Sequence, residues 1–426
     1  MTLRAAWLVA FAAVVAGHAG GQVAASARFS GDTSRVDRVL ELADQRLSLM
    51  PSVAAWKWQH HARVSDPPRE QAVILGAAQV AAPLGLARPP IERFFALQVR
   101  LARDEESKLH DRWRKRGYDF PGRVADLGKD LRPQLDRLTR DLLRALYLSA
   151  PALAQPGFAD RYAADAERLL RSAGWSEADR RELLADLGQM RLAATPALPR
   201  IAAAHVLRIG TTGDYAPFSS ESHGQLQGVD IELARALARK LDAEPIFVRT
   251  SWRALAGDLG RNDFDVAIGG ISATPEREAV AAVSSPYLSG GKTIIARCRD
   301  VRRFGSLAAV DRPGVRLIVN PGGTNEQYAR SHLHRARLIV YPSNVTVFDE
   351  LIAGRADVMI TDDVEVELQV HRHPELCRAL RGTLTHADKV ILMSRDPALT
   401  ATVNDWLHEE LAAGVPARLL RQALTE

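Results

Sequence analysis

At 426 residues, with 46% apolar and 25% charged side chains, the chain exceeds one ordinary domain and can build conventional cores, so two or three globular units are expected. A net charge of +5 would suit nucleic acid, but the arginines are scattered among acids rather than gathered in one block, and a nucleic-acid partner is excluded on that ground.

The first residues read as an export signal. Arg4 precedes the apolar run Ala5 to Ala16, and Ala25-Ser26-Ala27 before Arg28 has the small-residue pattern of a cleavage site, which assigns residues 1–27 to a signal peptide and the mature protein to the periplasm. Gly17, His18, Gly20, Gly21 and Gln22 interrupt the run short of the about 20 residues a membrane span requires. No later segment could span a bilayer, so no membrane contact is expected after cleavage.

From Asp32 to Ala203 the pattern is helical: Leu, Ala, Arg, Asp and Glu dominate and β-branched runs are nearly absent. Residues 28–203 are therefore expected to form an all-α domain. Val36, Leu40, Ala43 and Leu47 line one face of the first helix, and Pro51 either kinks it or starts a second. A long helix is expected near Pro90 to Arg116, with Phe94, Phe95, Val99 and Leu109 as core candidates. Gln98, Ala102 and Glu106 recur at intervals of four on one stripe, which could solvate a buried polar ligand; spacing alone favours a solvated outer face.

Several motifs of this half resemble the secreted (gamma-type), all-helical chorismate mutases: Arg46-Leu47, Val53-Ala54-Ala55-Trp56-Lys57-Trp58, Asp66-x-x-Arg69-Glu70, Phe95-x-x-Gln98-Val99-Arg100, Trp113, and Arg132-x-x-Leu135-Asp136. The resemblance covers roughly residues 35 to 200 and fades in the later helices. It implies substrate-binding cations at Arg46, Lys57, Arg69 and Arg132, and an acidic partner for the ether oxygen at Glu106. The chemistry agrees, because chorismate bears two carboxylates that guanidinium forks can grip in bidentate fashion. Lys57 would stabilise the ether oxygen as its bond breaks, with a protonated Glu106 donating a hydrogen bond. No covalent step and no cofactor is needed for a pericyclic rearrangement. Ala102 and Val73 depart from the pattern, standing where a relative has threonine and glutamine.

Composition shifts around Ala203 to Val206, after a candidate linker at Pro196 to Pro199. Residues 204–426 then alternate apolar runs with helical patterns. Strands are expected at Val206–Gly210, Glu244–Arg249, Val266–Gly269, Thr293–Arg297, Arg316–Val319, Ala336–Tyr341, Val358–Thr361 and Lys389–Met393, with helices such as Val229–Leu241 and Val347–Ala353 between them. That order predicts parallel sheets with crossover helices and ligand loops beyond the strands' carboxyl ends. Thr212-Gly213-Asp214, Gly270-Ile271-Ser272-Ala273-Thr274 and Asn320-Pro321-Gly322-Gly323-Thr324 fall at such ends.

Together with Gly228-Val229-Asp230, Phe264-Asp265-Val266-Ala267 and Ala356-Asp357-Val358, these loops resemble a two-lobed α/β periplasmic solute-binding fold. A closer resemblance is to the periplasmic cyclohexadienyl dehydratases, which turn prephenate into phenylpyruvate and arogenate into phenylalanine. It is carried by Thr211 to Phe218, Thr250-Ser251-Trp252, Pro286-Tyr287-Leu288-x-x-Gly291-Lys292-Thr293, Asn320 to Glu326, Asn344-Val345-Thr346 and Pro374-Glu375-Leu376-Cys377. The general acid of that family falls on Glu365, after Thr361-Asp362-Asp363-Val364. Arg277, Lys292, Ser272, Thr324 and Asn325 are nominated for the substrate's carboxylates, and Trp252 as a wall for its ring. Asp214 and Asp362 either orient Glu365, accept the amine of arogenate, or simply cap loops.

Cys298 and Cys377 are the only cysteines, and in an oxidising compartment a disulfide between them is expected; no His/Cys cluster has metal-ligand spacing. The sequence thus reads as a multidomain chain, an all-α chorismate mutase-like domain followed by a two-lobed dehydratase domain, making prephenate and consuming it. Its partners are small molecules, chorismate, prephenate and arogenate, and a second copy of the chain is an admissible partner. The rival reading is a receptor for an amino acid or related anion with a helical appendage, since fold alone does not exclude it. A third makes the helical part an inert dimerisation module, against which the cation set argues.

Overall fold

Pro51 opens a helix rather than kinking one. In the computed structural model, which describes residues 32–193 and 195–425, α1 (Asp32–Ser48) ends before α2 (Met50–Gln59), and the proline sits in the first turn of α2, where its missing amide costs nothing. The expected export signal, residues 1–27, lies outside the described residues. Asp66 caps α3 (Pro67–Ala81) by accepting from the Arg69 amide at 3.2 Å. α4 (Arg88–Arg116) and α5 (Arg132–Leu153) complete the frame, with α1 against α5 and α3 against α4.

The faces read from periodicity are largely the buried ones: Val36, Leu40, Ala43, Leu47, Phe94, Phe95 and Leu109 are all inside. Val99 differs, being half-buried on a cavity wall rather than in the core. Pro196–Pro199 is not an extended linker either. It runs into the helix Ala197–Ala204, whose Ala197 and Ile201 pack into the core of the following α/β half.

That half has two five-stranded sheets. In the first, Val206–Thr211 lies between Glu244–Arg249 and Val266–Ala267, all parallel, followed by Leu392–Met393 and Ala282–Val283, both antiparallel to their neighbours. In the second, Arg337–Val340, Arg316–Val319 and Val358–Asp362 are parallel, Lys292–Arg297 runs antiparallel to Val358–Asp362, and Leu376–Arg378 runs antiparallel to Lys292–Arg297. The expectation of purely parallel sheets is corrected by the chain's two crossings between lobes. Parallel strands run toward the cleft, so a strand that enters a lobe from the cleft side must run the opposite way. For the same reason the run expected at Lys389–Met393 is divided: Ala387–Lys389 pairs with Leu288–Gly290 at the crossing, and Leu392–Met393 joins the first sheet.

Cys298, in the turn that follows the strand Lys292–Arg297, forms a disulfide with Cys377 of the adjacent strand Leu376–Arg378. It closes a loop across a sequence separation of 79, for which the chain-entropy limit is about 4.5 kcal/mol. The double substitution Cys298→Ser/Cys377→Ser is expected to destabilise this lobe by about 2–4 kcal/mol, read as a lower urea midpoint; an unchanged midpoint would show that the bond adds no stability.

The two halves are joined by buried charge. Arg208 and Arg200 both reach Asp265, at 2.7 and 2.8 Å, and hold its carboxyl below the usual range although burial opposes this. Tyr147 of α5 lays its ring under Arg208, 4.8 Å from the guanidinium carbon.

Candidate functional site

In the helical half, α1 to α5 enclose a cavity of about 510 Å3. Each helix contributes one charged group expected from the sequence: Arg46 from α1, Lys57 from α2, Arg69 from α3, Glu106 from α4 and Arg132 from α5 all line it. Lys57 Nζ donates to Glu106 Oε2 at 2.6 Å and to the Val64 carbonyl at 2.9 Å. Burial pushes the Glu106 carboxyl above its ordinary value, against the pull of Lys57. Arg46 donates to Thr139 Oγ1 at 2.6 Å and to the Leu135 carbonyl at 3.0 Å, while burial lowers its pKa to about 10, opposed by Asp136.

The stripe of Gln98, Ala102 and Glu106 faces this cavity, not solvent. Gln98 and Glu106 are only 5% and 4% exposed, because α1, α2 and α3 pack against α4 and α5 closes the far wall of the cavity. Gln98 Nε2 and Arg46 Nε are buried without a hydrogen-bond partner. A buried unpaired donor costs about 1–3 kcal/mol, a cost that an anionic or carbonyl oxygen in the cavity would remove. Arg69 and Arg132 are exposed at the rim, and neither guanidinium has a hydrogen bond or ion pair among the described residues. The arrangement can neutralise a compact dicarboxylate and put an ammonium and a carboxyl against one oxygen. Ala102 and Val73 also lie on the wall, where they offer no polar atom.

The second site lies between the α/β lobes and is closed. Its cavity is about 20 Å3, room for about one water molecule. Tyr215, Trp252, Gly270, Ser272 and Arg277 wall it from the first lobe, and Asn320, Thr324, Asn325, Asn344 and Asp362 from the second. Gly270 has φ +72°, and a Cβ there would meet the Tyr215 ring at 2.5 Å, so glycine is required for the walls to approach. Hydrogen bonds cross the gap, among them Tyr215 Oη to Asp362 Oδ2 at 2.5 Å and Asn344 Nδ2 to the Asp214 carbonyl at 2.9 Å.

Asp362 is the electrostatic centre. Lys292 Nζ donates to its Oδ1 at 3.1 Å and Lys389 Nζ to its Oδ2 at 2.6 Å. Burial disfavours this charge, but the two ammonium groups prevail and hold the carboxyl well below the usual range. Lys292 also donates to Thr324 Oγ1 at 2.9 Å and Asn325 Oδ1 at 2.5 Å, at the start of the helix Thr324–His332. Arg277 donates to the Ser272 carbonyl at 2.6 Å. Asp214 is not on the cavity wall; it accepts from Trp252 Nε1 at 3.2 Å and so positions the indole.

Glu365, in the first turn of the helix Asp363–Arg372, is 3% exposed and does not line the closed cavity either. A hydrogen-bond chain reaches it: cavity-lining Asn325 donates to Thr361 Oγ1 at 2.9 Å, and Thr361 Oγ1 donates to Glu365 Oε2. Burial pushes the Glu365 carboxyl up to about 8, with Asp362 adding to the rise and Thr361, Lys389 and Lys292 opposing it. Thr361 and Lys389 escaped the sequence reading. Thr361 appeared there only as the start of the Glu365 motif, and Lys389 only as the head of an apolar run.

Residues 207–426 match the bacterial extracellular solute-binding proteins, family 3. The chain belongs to this family. Among the relatives of its solute-binding half, a cyclohexadienyl dehydratase of Pseudomonas aeruginosa is 44% identical over 229 residues, covering 53% of this chain and 84% of the relative. The ABC transporter arginine-binding protein 1 of Escherichia coli is 27% identical over 175 residues, covering 41% of this chain and 70% of the relative. The crystal structure of the ancestral amino acid-binding protein AncCDT-1, described as a precursor of cyclohexadienyl dehydratase, superposes with a TM-score of 0.50 at 31% identity over 54% of this chain and all (100%) of that one. The family match leaves the helical half outside it. No helix among the described residues is long and apolar enough to cross a membrane, and no group of His, Cys, Asp and Glu among them could hold a metal ion.

Proposed function

We propose that the chain is an exported, periplasmic bifunctional enzyme that rearranges chorismate to prephenate in the helical cavity and dehydrates prephenate, with loss of carbon dioxide, in the cleft between the lobes. The observation that carries this reading is Glu365, a buried carboxyl pushed up to about 8 beside a cleft that Arg277 lines. A receptor has no use for a proton donor there. The 44% identity to a cyclohexadienyl dehydratase supports the same reading. The 27% identity to an arginine-binding protein favours the receptor alternative, in which the ligand is released unchanged.

In the helical cavity the folded chorismate side chain brings negative charge over the ring, and Arg46, Arg69 and Arg132 neutralise it. The ether C–O bond breaks as the new C–C bond forms. Charge developing on the ether oxygen is met by the Lys57 ammonium, 2.6 Å from Glu106, and Glu106 adds a hydrogen bond when its carboxyl is protonated. The product carries the two carboxylates that the second site needs.

The lobes must separate to admit prephenate, since the closed cavity has room for only about one water molecule. Arg277, Lys292, Ser272, Thr324 and Asn325 then receive the carboxylates, and Trp252 flanks the ring. Glu365 delivers its proton to the ring hydroxyl, water leaves, and the ring carboxylate departs as carbon dioxide while its electron pair enters the ring. Hydroxide would be a prohibitive leaving group; the proton removes that barrier, and aromatisation drives the step. Phenylpyruvate results, and Glu365 recovers its proton from solvent.

Purified protein supplied with chorismate should consume its absorbance and accumulate phenylpyruvate, whereas Arg46→Ala should block formation of prephenate without blocking its dehydration. Recovery of chorismate and prephenate intact from the wild type would overturn both assignments.

A further inference from the structure

Arg46 differs from the other cations of the helical cavity in what holds it. Lys57 is paired with Glu106, and Arg103, on the same wall, with Glu70 at 3.2 Å. Arg63, Arg69 and Arg132 are exposed at the rim. Of the two acids left on that wall, Asp66 accepts from the Arg69 amide, and Asp136 acts on Arg46 through its charge without a hydrogen bond to it. Arg46 is thus, among the described residues, the cation of this cavity that is both buried, at 9% exposure, and bonded to no carboxylate.

Two neutral acceptors on α5 hold it instead. Nη1 donates to Thr139 Oγ1 at 2.6 Å and to the Leu135 carbonyl at 3.0 Å, which uses both of its hydrogens. The Phe95 ring supports the guanidinium, its centre 5.4 Å from the central carbon. The donors that remain, Nε and Nη2, have no partner among the described residues, and Nε is buried. One hydrogen on each runs parallel to the other along an edge of the guanidinium, the fork that a carboxylate accepts in bidentate fashion. An acid in the place of Thr139 would orient the group and also neutralise it. A hydroxyl and a carbonyl fix its direction and leave its charge to a ligand.

Thr139 lines the same cavity, but its hydroxyl has no hydrogen to offer a ligand. That hydrogen goes to the Leu135 carbonyl at 2.8 Å, one turn back on α5, and turns the oxygen lone pairs toward Arg46. An arginine fixed before binding also spares the ligand the cost of ordering a long side chain.

We propose that Thr139 is a positioning residue of the helical site, whose hydroxyl clamps Nη1 of Arg46 so that the Nε–Nη2 edge stands ready for a ligand carboxylate. The inference rests on the mutase reading and adds to it a residue that acts through Arg46 alone. The clamp prepares the grip on a carboxylate and does not touch the breaking bond, so its loss should appear in KM and not in kcat.

The test compares Thr139→Val, which keeps the shape of the side chain and removes the acceptor, with Thr139→Ser, which keeps the hydroxyl. Thr139→Val is expected to raise KM for chorismate at least about tenfold, the scale of one hydrogen bond to a charged group, with kcat retained and Thr139→Ser close to the wild type. Prephenate dehydration is the internal control and should not change. A smaller rise in KM, a fall in kcat that exceeds it, or a Thr139→Ser variant as impaired as Thr139→Val overturns the proposal. Should Thr139→Val not fold, as judged by its circular dichroism, Thr139→Ala is held to the same KM criterion; failure of both to fold would make the hydroxyl structural and overturn the clamp. Absence of chorismate turnover in the wild type would instead overturn the mutase reading. The clamp is then read from calorimetric affinity for chorismate, which Thr139→Val should weaken at least about tenfold and Thr139→Ser retain; equal affinities, or no binding, overturn it.

Discussion

Glu365→Gln is expected to lower prephenate turnover by about 10²–10⁴-fold, the usual contribution of a positioned general acid, while leaving chorismate consumption unchanged. Glutamine preserves the size of the side chain and can still accept from Thr361, so the buried site keeps its packing, but the amide has no proton to yield. Given chorismate, the variant should therefore accumulate prephenate. The wild-type pH profile follows from the same carboxyl. Burial pushes it up to about 8, and the reaction uses its protonated form, so kcat/KM should be flat below that value and fall tenfold for each pH unit above it. A Glu365→Gln variant as active as the wild type, or a profile that rises through that region, would refute the assignment of Glu365 as the acid.

The second large effect is expected at Lys57. Lys57→Ala should lower kcat/KM for chorismate by about 10²–10³-fold, as for loss of one preorganised donor to a developing oxyanion, with prephenate dehydration untouched. The protein should survive the change. Lys57 is the ammonium that draws the Glu106 carboxyl down against burial; without it, burial pushes that carboxyl further up and favours the neutral form over an unpaired buried charge. The measurement is the loss of chorismate absorbance at saturating and limiting substrate. An unchanged rate would show that the Lys57–Glu106 pair, 2.6 Å apart, is structural. If instead KM alone rises with kcat intact, Lys57 acts in binding and not on the breaking bond.

How much of these sites could be read before folding depends on how far each signal is local. The apolar faces of α1 and α4 obey a period of 3.6, so Val36, Leu40, Phe94 and Phe95 were identifiable as core from spacing. The stripe of Gln98, Ala102 and Glu106 obeys the same period, yet polarity suggested solvent. Whether a polar stripe meets water or a cavity depends on the neighbouring helices, which the stripe does not encode. Asp214 illustrates a further limit: a polar residue in a ligand loop reads as a ligand, while the fold uses it to hold Trp252.

The composition shift near Ala203, the helix-then-strand order and the motif loops at strand ends were sufficient to state a helical half followed by a two-lobed α/β half, because each depends on residues a few positions apart. The direction of Lys292–Arg297 and Leu392–Met393 was not, since it follows from where the chain crosses between lobes. Nor was the neighbourhood of Asp362. Lys292 and Lys389 come to it across sequence separations of 70 and 27, and Lys389 reaches Gly270 across 119. Periodicity and motifs report forces acting along a few turns of chain; the charge on a buried carboxyl is set by whichever groups long-range packing brings within hydrogen-bond distance.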